Sequence, residues 1–120
     1  MEKYTVVIGA SENTERYSNK AIRMLLKYNH PIFAIGNKVG KVENIEIETE
    51  KKIMENVDTV TLYLNEKHQV EYYDYILSLH PKRIIFNPGT ENEVLEKLAK
   101  ENSIEAMEAC TLVLLSTGQY

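Results

Sequence analysis

Apolar residues along the chain fall into short β-branched runs separated by stretches with helical period. Four runs, Tyr4 to Ile8, Ile32 to Ile35, Asp58 to Leu64 and Arg83 to Phe86, predict strands. Each is near-continuously apolar at its centre rather than alternating, which suits a parallel sheet covered on both faces. A fifth, weaker strand is predicted at Ile104 to Met107. Between the strands, Ala21, Ile22, Leu25, Leu26 and Tyr28 form one apolar helical stripe. Val70, Tyr73, Ile76 and Leu77 form a second, and Val94, Leu95, Leu98 and Ala99 a third. Tyr73 is expected to pack inward, leaving the other tyrosines of EYYDYILSL exposed. Lys41 to Met54 is polar, shows no clean period before Ile53, and reads as a surface excursion with a short helical piece. The tail Thr111 to Tyr120 opens with the apolar LVLLS and is expected to pack.

Strand and helix therefore alternate, which predicts an α/β fold of right-handed βαβ units: a doubly wound parallel sheet of about five strands between two helical layers. In such a sheet a ligand binds at the carboxyl ends of the strands. The 120 residues fit a single domain, 1–120, with no repeat or linker in view. Hydrophobic residues at 43% and charged residues at 27% are globular values that argue against disorder.

A net charge of −4, with no long run of Lys and Arg, argues against nucleic acid or an anionic membrane as partner. The opening MEKYTVVIGAS holds too few apolar residues for a signal peptide or a span, so a cytoplasmic protein is expected. Cys110 has no second thiol, and His30, His68 and His80 lack ligand spacing, so no disulfide or metal site is expected. An exposed sheet edge or the apolar tail could mediate a homodimer.

Candidate chemistry concentrates after the first strand, in VVIGASENTERYSNKA. Gly9 permits a tight turn beside Ala10, Ser11, Asn13 and Ser18 offer hydroxyl and amide donors, Arg16 adds a positive charge, and a helix opening near Ser18 presents free N–H groups to an anion. The alternative is a turn at Gly9 and a cap at Ser18 with no ligand. Ser11 and Thr14 occupy the second and third glycine positions of the dinucleotide fingerprint, and no Walker motif is present. After the second strand, Asn37 and Lys38 replace the acid that would hold NAD ribose, and Lys38 with Lys41 makes a positive spot suited to an added phosphate. After the fourth, Asn87, Pro88 and Gly89 form a rigid turn with Thr90 as candidate helix cap. Tyr63, Leu64 and Asn65 could wall the same crevice, and Cys110 could face it.

With VVIGASENTERYSNKA, DTVTLYLN, KRIIFNPGTEN and EACTLVLL in this order, essentially the whole chain resembles the coenzyme A-binding domain family. These are small Rossmann-like proteins related to the nucleotide-binding part of the succinyl-CoA synthetase α subunit. The resemblance implies a coenzyme A or acyl-CoA site in which Gly9, Ala10, Ser11 and Ser18 approach the phosphates. It places Asn37 and Lys38 near the adenosine 3′-phosphate and the pantetheine along Asn87, Pro88 and Gly89. Family members often carry proline near the position of Thr14 and a more basic loop; here Glu12 and Glu15 oppose an anion. The synthetase works through a phosphohistidine and further domains that have no counterpart here, so binding without catalysis is expected. A small enzyme using Cys110 beside a bound cofactor, and a ligand-free protein-interaction module, are the alternatives.

Overall fold

The computed structural model describes residues 2–120. Among them seven strands build one sheet: β1 (Thr5–Ile8), β2 (Ile32–Ile35), β3 (Gly40–Val42), β4 (Ile45–Glu48), β5 (Thr59–Leu62), β6 (Arg83–Phe86) and β7 (Glu105–Glu108). Their order is β3-β4-β2-β1-β5-β6-β7, parallel throughout except that β3 pairs antiparallel with β4. The chain grows outward from β1 to the β3–β4 edge, then returns to the other side of β1 and grows through β5, β6 and β7. Growth thus reverses between β1 and β5, the switch point at which an open α/β sheet forms its crevice.

The helices are α1 (Tyr17–Lys27), α2 (Glu66–Gln69), α3 (Tyr73–Ser78), α4 (Glu93–Glu101) and α5 (Thr111–Ser116), and a 3₁₀ turn, Val70–Tyr72, joins α2 to α3. Strands β1, β5 and β6 are buried at every position. On one face Val7 and Ala34 pack with Ile22, Leu25 and Leu115 of α1 and α5. On the other, Val6, Ile8, Val60, Leu62, Ile84 and Phe86 meet Tyr75, Ile76, Leu95 and Ala99 of α3 and α4. Burial of each large aliphatic side chain contributes about 1.5–3 kcal/mol, so this hydrocarbon on both faces holds the three layers together.

Where the sheet departs from expectation, the reasons are local. It has seven strands rather than about five, because Lys41 to Met54 contains no helix and instead supplies most of β3 and all of β4. Ile45, Glu46, Ile47 and Glu48 alternate as a half-buried strand should, with Ile47 buried and both glutamates exposed. The β3–β4 turn places Glu43 at φ 55°, a left-handed position without the glycine that would signal a hairpin.

In the second helical segment, the 3₁₀ turn changes the angular phase. Tyr72 and Tyr75 are buried, Tyr73 is half-buried, and Val70 turns outward at 59% exposure. Tyr75 Oη donates to the Lys52 carbonyl at 2.6 Å and so pins the irregular crossover between β4 and β5. Tyr28 and Val94 also lie outside the core despite their helical spacing. The tail packs as expected: α5 lies against α1, and the Tyr120 carbonyl accepts from Lys3 Nζ at 2.6 Å and Arg83 Nη2 at 2.8 Å. Among the described residues no helix is long and apolar enough to cross a membrane.

Candidate ligand-binding cleft

Three strand ends close on one another at the switch point. Gly9 ends β1 with φ 94°, and a Cβ there would stand 3.0 Å from the Tyr63 backbone at the end of β5. Gly36 ends β2, and a Cβ there would come within 2.5 Å of the Ala10 carbonyl oxygen. Glycine at both positions lets the backbones approach, and the loops that leave them enclose a cleft of about 640 Å³.

The first wall is the β1–α1 loop, held mainly by its own short side chains. Ser11 Oγ accepts from Asn13 N–H at 3.1 Å, Asn13 Oδ1 accepts from Glu15 N–H at 2.9 Å, and Arg16 N–H donates to the Asn13 carbonyl at 3.0 Å. Asn19, buried in α1, donates to the Ser11 carbonyl at 2.9 Å and accepts from Arg23 Nε at 2.8 Å. Arg16 occupies the cap position of α1 in extended backbone and no side chain caps the helix. Ser18 is the second helical residue rather than the cap. The uncapped first turn therefore opens beside Arg16 and Ser18 on the cleft, where its N–H groups favour an anion.

The second wall joins the ends of β5 and β6 through buried amides. Gln69 is fully buried; its Nε2 donates to the Leu64 carbonyl at 2.8 Å and the Thr90 carbonyl at 2.7 Å. Its Oε1 accepts from Asn92 Nδ2 at 2.9 Å, and the same Asn92 amide donates to Tyr73 Oη at 2.7 Å. Asn92 Oδ1 accepts from Leu95 N–H at 3.1 Å, so Asn92 is the cap of α4 and Thr90 is not. Thr90 Oγ1 instead donates to the Asn87 carbonyl at 2.7 Å, and Gly89 N–H donates to Glu91 Oε1 at 3.0 Å.

The residues singled out in the sequence separate accordingly. Gly9, Ala10, Ser11, Arg16, Ser18, Asn37, Tyr63, Pro88 and Gly89 gather on the cleft, together with Leu64 and Asn65. Asn13 stands in the same loop with its carbonyl groups committed to that loop, and Lys38 lies on an exposed bend outside the lining. Asn87 is buried away from the cleft: its Nδ2 donates to Thr61 Oγ1 at 2.7 Å and the Leu62 carbonyl at 2.8 Å, while its Oδ1 accepts from Thr111 N–H at 2.8 Å. It fastens β5, β6 and α5. Cys110, half-buried at the cap position of α5, is outside the lining too.

Tyr17, Gly36, His68, Glu71 and Tyr72 also line the cleft and were not read from the sequence. Asn65 marks the start of the segment that carries the last three, since its side chain caps α2 by accepting from His68 N–H at 3.1 Å. The lining thus mixes Arg16 and His68 with Glu15 and Glu71, whereas Glu12 turns away toward β3. Tyr63 runs under the cleft floor toward Thr61 and Thr111, whose hydroxyls share a hydrogen bond at 2.8 Å. Burial raises its phenol well above the ordinary tyrosine range and keeps it neutral.

Six parallel strands, a β1/β5 switch point and helices on both faces define a Rossmann-like domain. Within that class the chain belongs to the CoA binding domain family, whose model matches residues 3–116. Among curated proteins none matches the sequence. A crystal structure of an uncharacterized protein is similar over 100% of this chain and 99% of its own, with 48% identity and a TM-score of 0.97. A hypothetical protein from Pyrococcus horikoshii shares the fold at 21% identity and a TM-score of 0.87, over 97% of this chain and 83% of its own. The dinucleotide-forming acetyl-coenzyme A synthetase 1 of Ca. Korarchaeum cryptofilum, in complex with phosphate and ADP, shares the fold at 16% identity. Its TM-score is 0.71, with 89% of this chain matching 25% of that one.

Proposed function

We propose that the protein binds coenzyme A, or an acyl-CoA, in the switch-point cleft and carries out no chemistry on it. The observation that carries this reading is the family match over residues 3–116, on a chain whose matched loops gather on one cleft. The diphosphate lies over the uncapped start of α1, beside Arg16 and Ser18, where backbone N–H groups and a guanidinium meet negative charge. Pantetheine follows Pro88 and Gly89 along the second wall. Asn37 faces the adenosine end, and Lys38 reaches its 3′-phosphate from the neighbouring bend. The position of Cys110 outside the cleft lining supports a binding role over a thiol-dependent one.

Thermal unfolding with coenzyme A, dephospho-coenzyme A, acetyl-coenzyme A, NAD and ATP at equal concentration tests the proposal. A ligand that binds only the native state stabilises it by about 2.7 kcal/mol at one hundred times its Kd. Coenzyme A is expected to raise Tm more than dephospho-coenzyme A does, with NAD and ATP weaker still. Equal shifts for the first two would remove the role of Lys38, and no shift with any coenzyme A derivative would overturn the reading.

A further inference from the structure

Glu12 enters the sequence as an acid in a loop that should meet an anion, yet its carboxylate does not face the cleft. Glu12 Oε2 accepts from the backbone N–H of Lys41 at 2.9 Å, across 29 positions of sequence. In the β3–β4 hairpin Val42 pairs with Ile45 next to the two-residue turn, and Lys41 pairs with Glu46 one step along. Antiparallel pairs alternate between hydrogen-bonded and open, so the N–H of Lys41 points out from the free edge of the sheet. Glu12 supplies the acceptor that no strand supplies there.

Gly40 makes room for this contact. A Cβ at Gly40 would stand 2.5 Å from both Cγ and Cδ of Glu12, and its backbone lies outside the left-handed region that only glycine favours. The hydrogen bond and the missing methylene group are separate observations, and both place the Glu12 side chain flat against β3. At its start the loop is held to β2 by the Gly9 and Ala10 N–H groups on the Ile35 carbonyl, but the remaining bonds of residues 11–16 run within the loop or to α1, so Glu12 is the side chain that ties this stretch to the sheet edge.

We infer that Glu12 is a positioning residue: it pins the β1–α1 loop to β3 and so sets the first wall of the cleft before ligand arrives. The inference rests on the coenzyme A reading only for what the wall is used to hold. It reverses the sign expected from charge alone, by which any removal of Glu12 should help an anion bind.

Three variants separate charge from position. Glu12→Gln removes the charge and keeps an acceptor for Lys41 N–H; Glu12→Ala removes both. Gly40→Ala keeps the charge and pushes the side chain off β3, at small cost because only the end of a flexible side chain must move. In ligand-free protein, NMR order parameters for residues 11–16 and hydrogen exchange at the Lys41 amide are expected to match wild type in Glu12→Gln. In Glu12→Ala and Gly40→Ala the loop should loosen and the amide should exchange faster. Coenzyme A should bind Glu12→Gln at least as tightly as wild type, and Glu12→Ala and Gly40→Ala about fivefold more weakly than Glu12→Gln, the loss of one ordinary hydrogen bond.

Equal loop order in all four proteins, or equal behaviour of Glu12→Ala and Glu12→Gln, would overturn the inference. Wild type that fails to bind coenzyme A would sink the proposed function instead, while the ligand-free NMR comparison still decides the role of Glu12.

Discussion

The two walls of the cleft are built by opposite means. The β1–α1 loop is exposed from Glu12 to Tyr17 and held by single hydrogen bonds from its own serine and asparagine side chains, which compete with water. The wall across from it is held by Gln69 and Asn92, both almost without solvent exposure, whose amides satisfy the ends of β5 and β6 and the start of α4 in one connected network. A buried polar network is stiff because leaving any member unpaired costs its full desolvation. An exposed loop gives way cheaply. One side of the cleft is therefore a fixed reference surface, and the other adjusts and needs a tether.

The largest effect should come from Gln69→Leu, which keeps the volume but removes the donors to the Leu64 and Thr90 carbonyls and the acceptor of one Asn92 N–H. A loss of about 2–4 kcal/mol is expected from these groups, read as a lower urea midpoint with unchanged m-value. A loss below about 0.5 kcal/mol would show that the second wall is no stiffer than the first. Next, Asn13→Ala in the first loop deletes a bond of similar length in the open, and is expected to change stability by less than about 0.5 kcal/mol; a cost near that of Gln69→Leu would erase the contrast.

The smallest effect concerns a flaw beside the second wall. Glu108, at the end of β7, is crowded first by the Glu96 carboxyl group and then by Glu91, and these acids raise its pKa above the usual value. The folded state thus holds its proton more tightly than the unfolded state. The resulting penalty is present at neutral pH and is relieved as pH falls through the raised value. Glu108→Gln should therefore raise Tm at pH 7, with the advantage fading in acid; an advantage constant with pH would point to a cause other than this carboxyl pair.

How much of this was legible follows from where the information lies. Strands β1, β2, β5 and β6 announce themselves because a strand buried on both faces must be apolar at consecutive positions, whereas β7, at the sheet edge with Glu105 and Glu108 exposed, gives only the weaker signal from Ile104 to Met107. The β3–β4 hairpin hides because its turn residue Glu43 adopts φ 55° where glycine is the usual sign, leaving only the alternation from Ile45 to Glu48. A single helical period carried through Val70 places Tyr72 and Tyr75 in solvent, whereas the 3₁₀ turn resets that period and buries both.

At the site, Gly9, Ser11, Arg16 and Ser18 were readable from one contiguous strand–loop–helix pattern. Gln69 and Asn92 were not, since their partners are backbone carbonyls and side chains up to 23 positions away. Asn87 showed the reverse error: its place in an exposed-looking turn suggested a ligand contact, whereas its amide is spent inside the protein.

The outer face of β3 carries one more meaning. A free sheet edge is a template on which another chain can lay a strand, and repeated addition of that kind is a route to aggregation. Here the edge strand is three residues long, and the donor that Lys41 turns outward is already taken by Glu12. The contact that steadies the cleft also stops the sheet from recruiting a neighbour at that donor, so solubility and ligand binding draw on the same carboxylate.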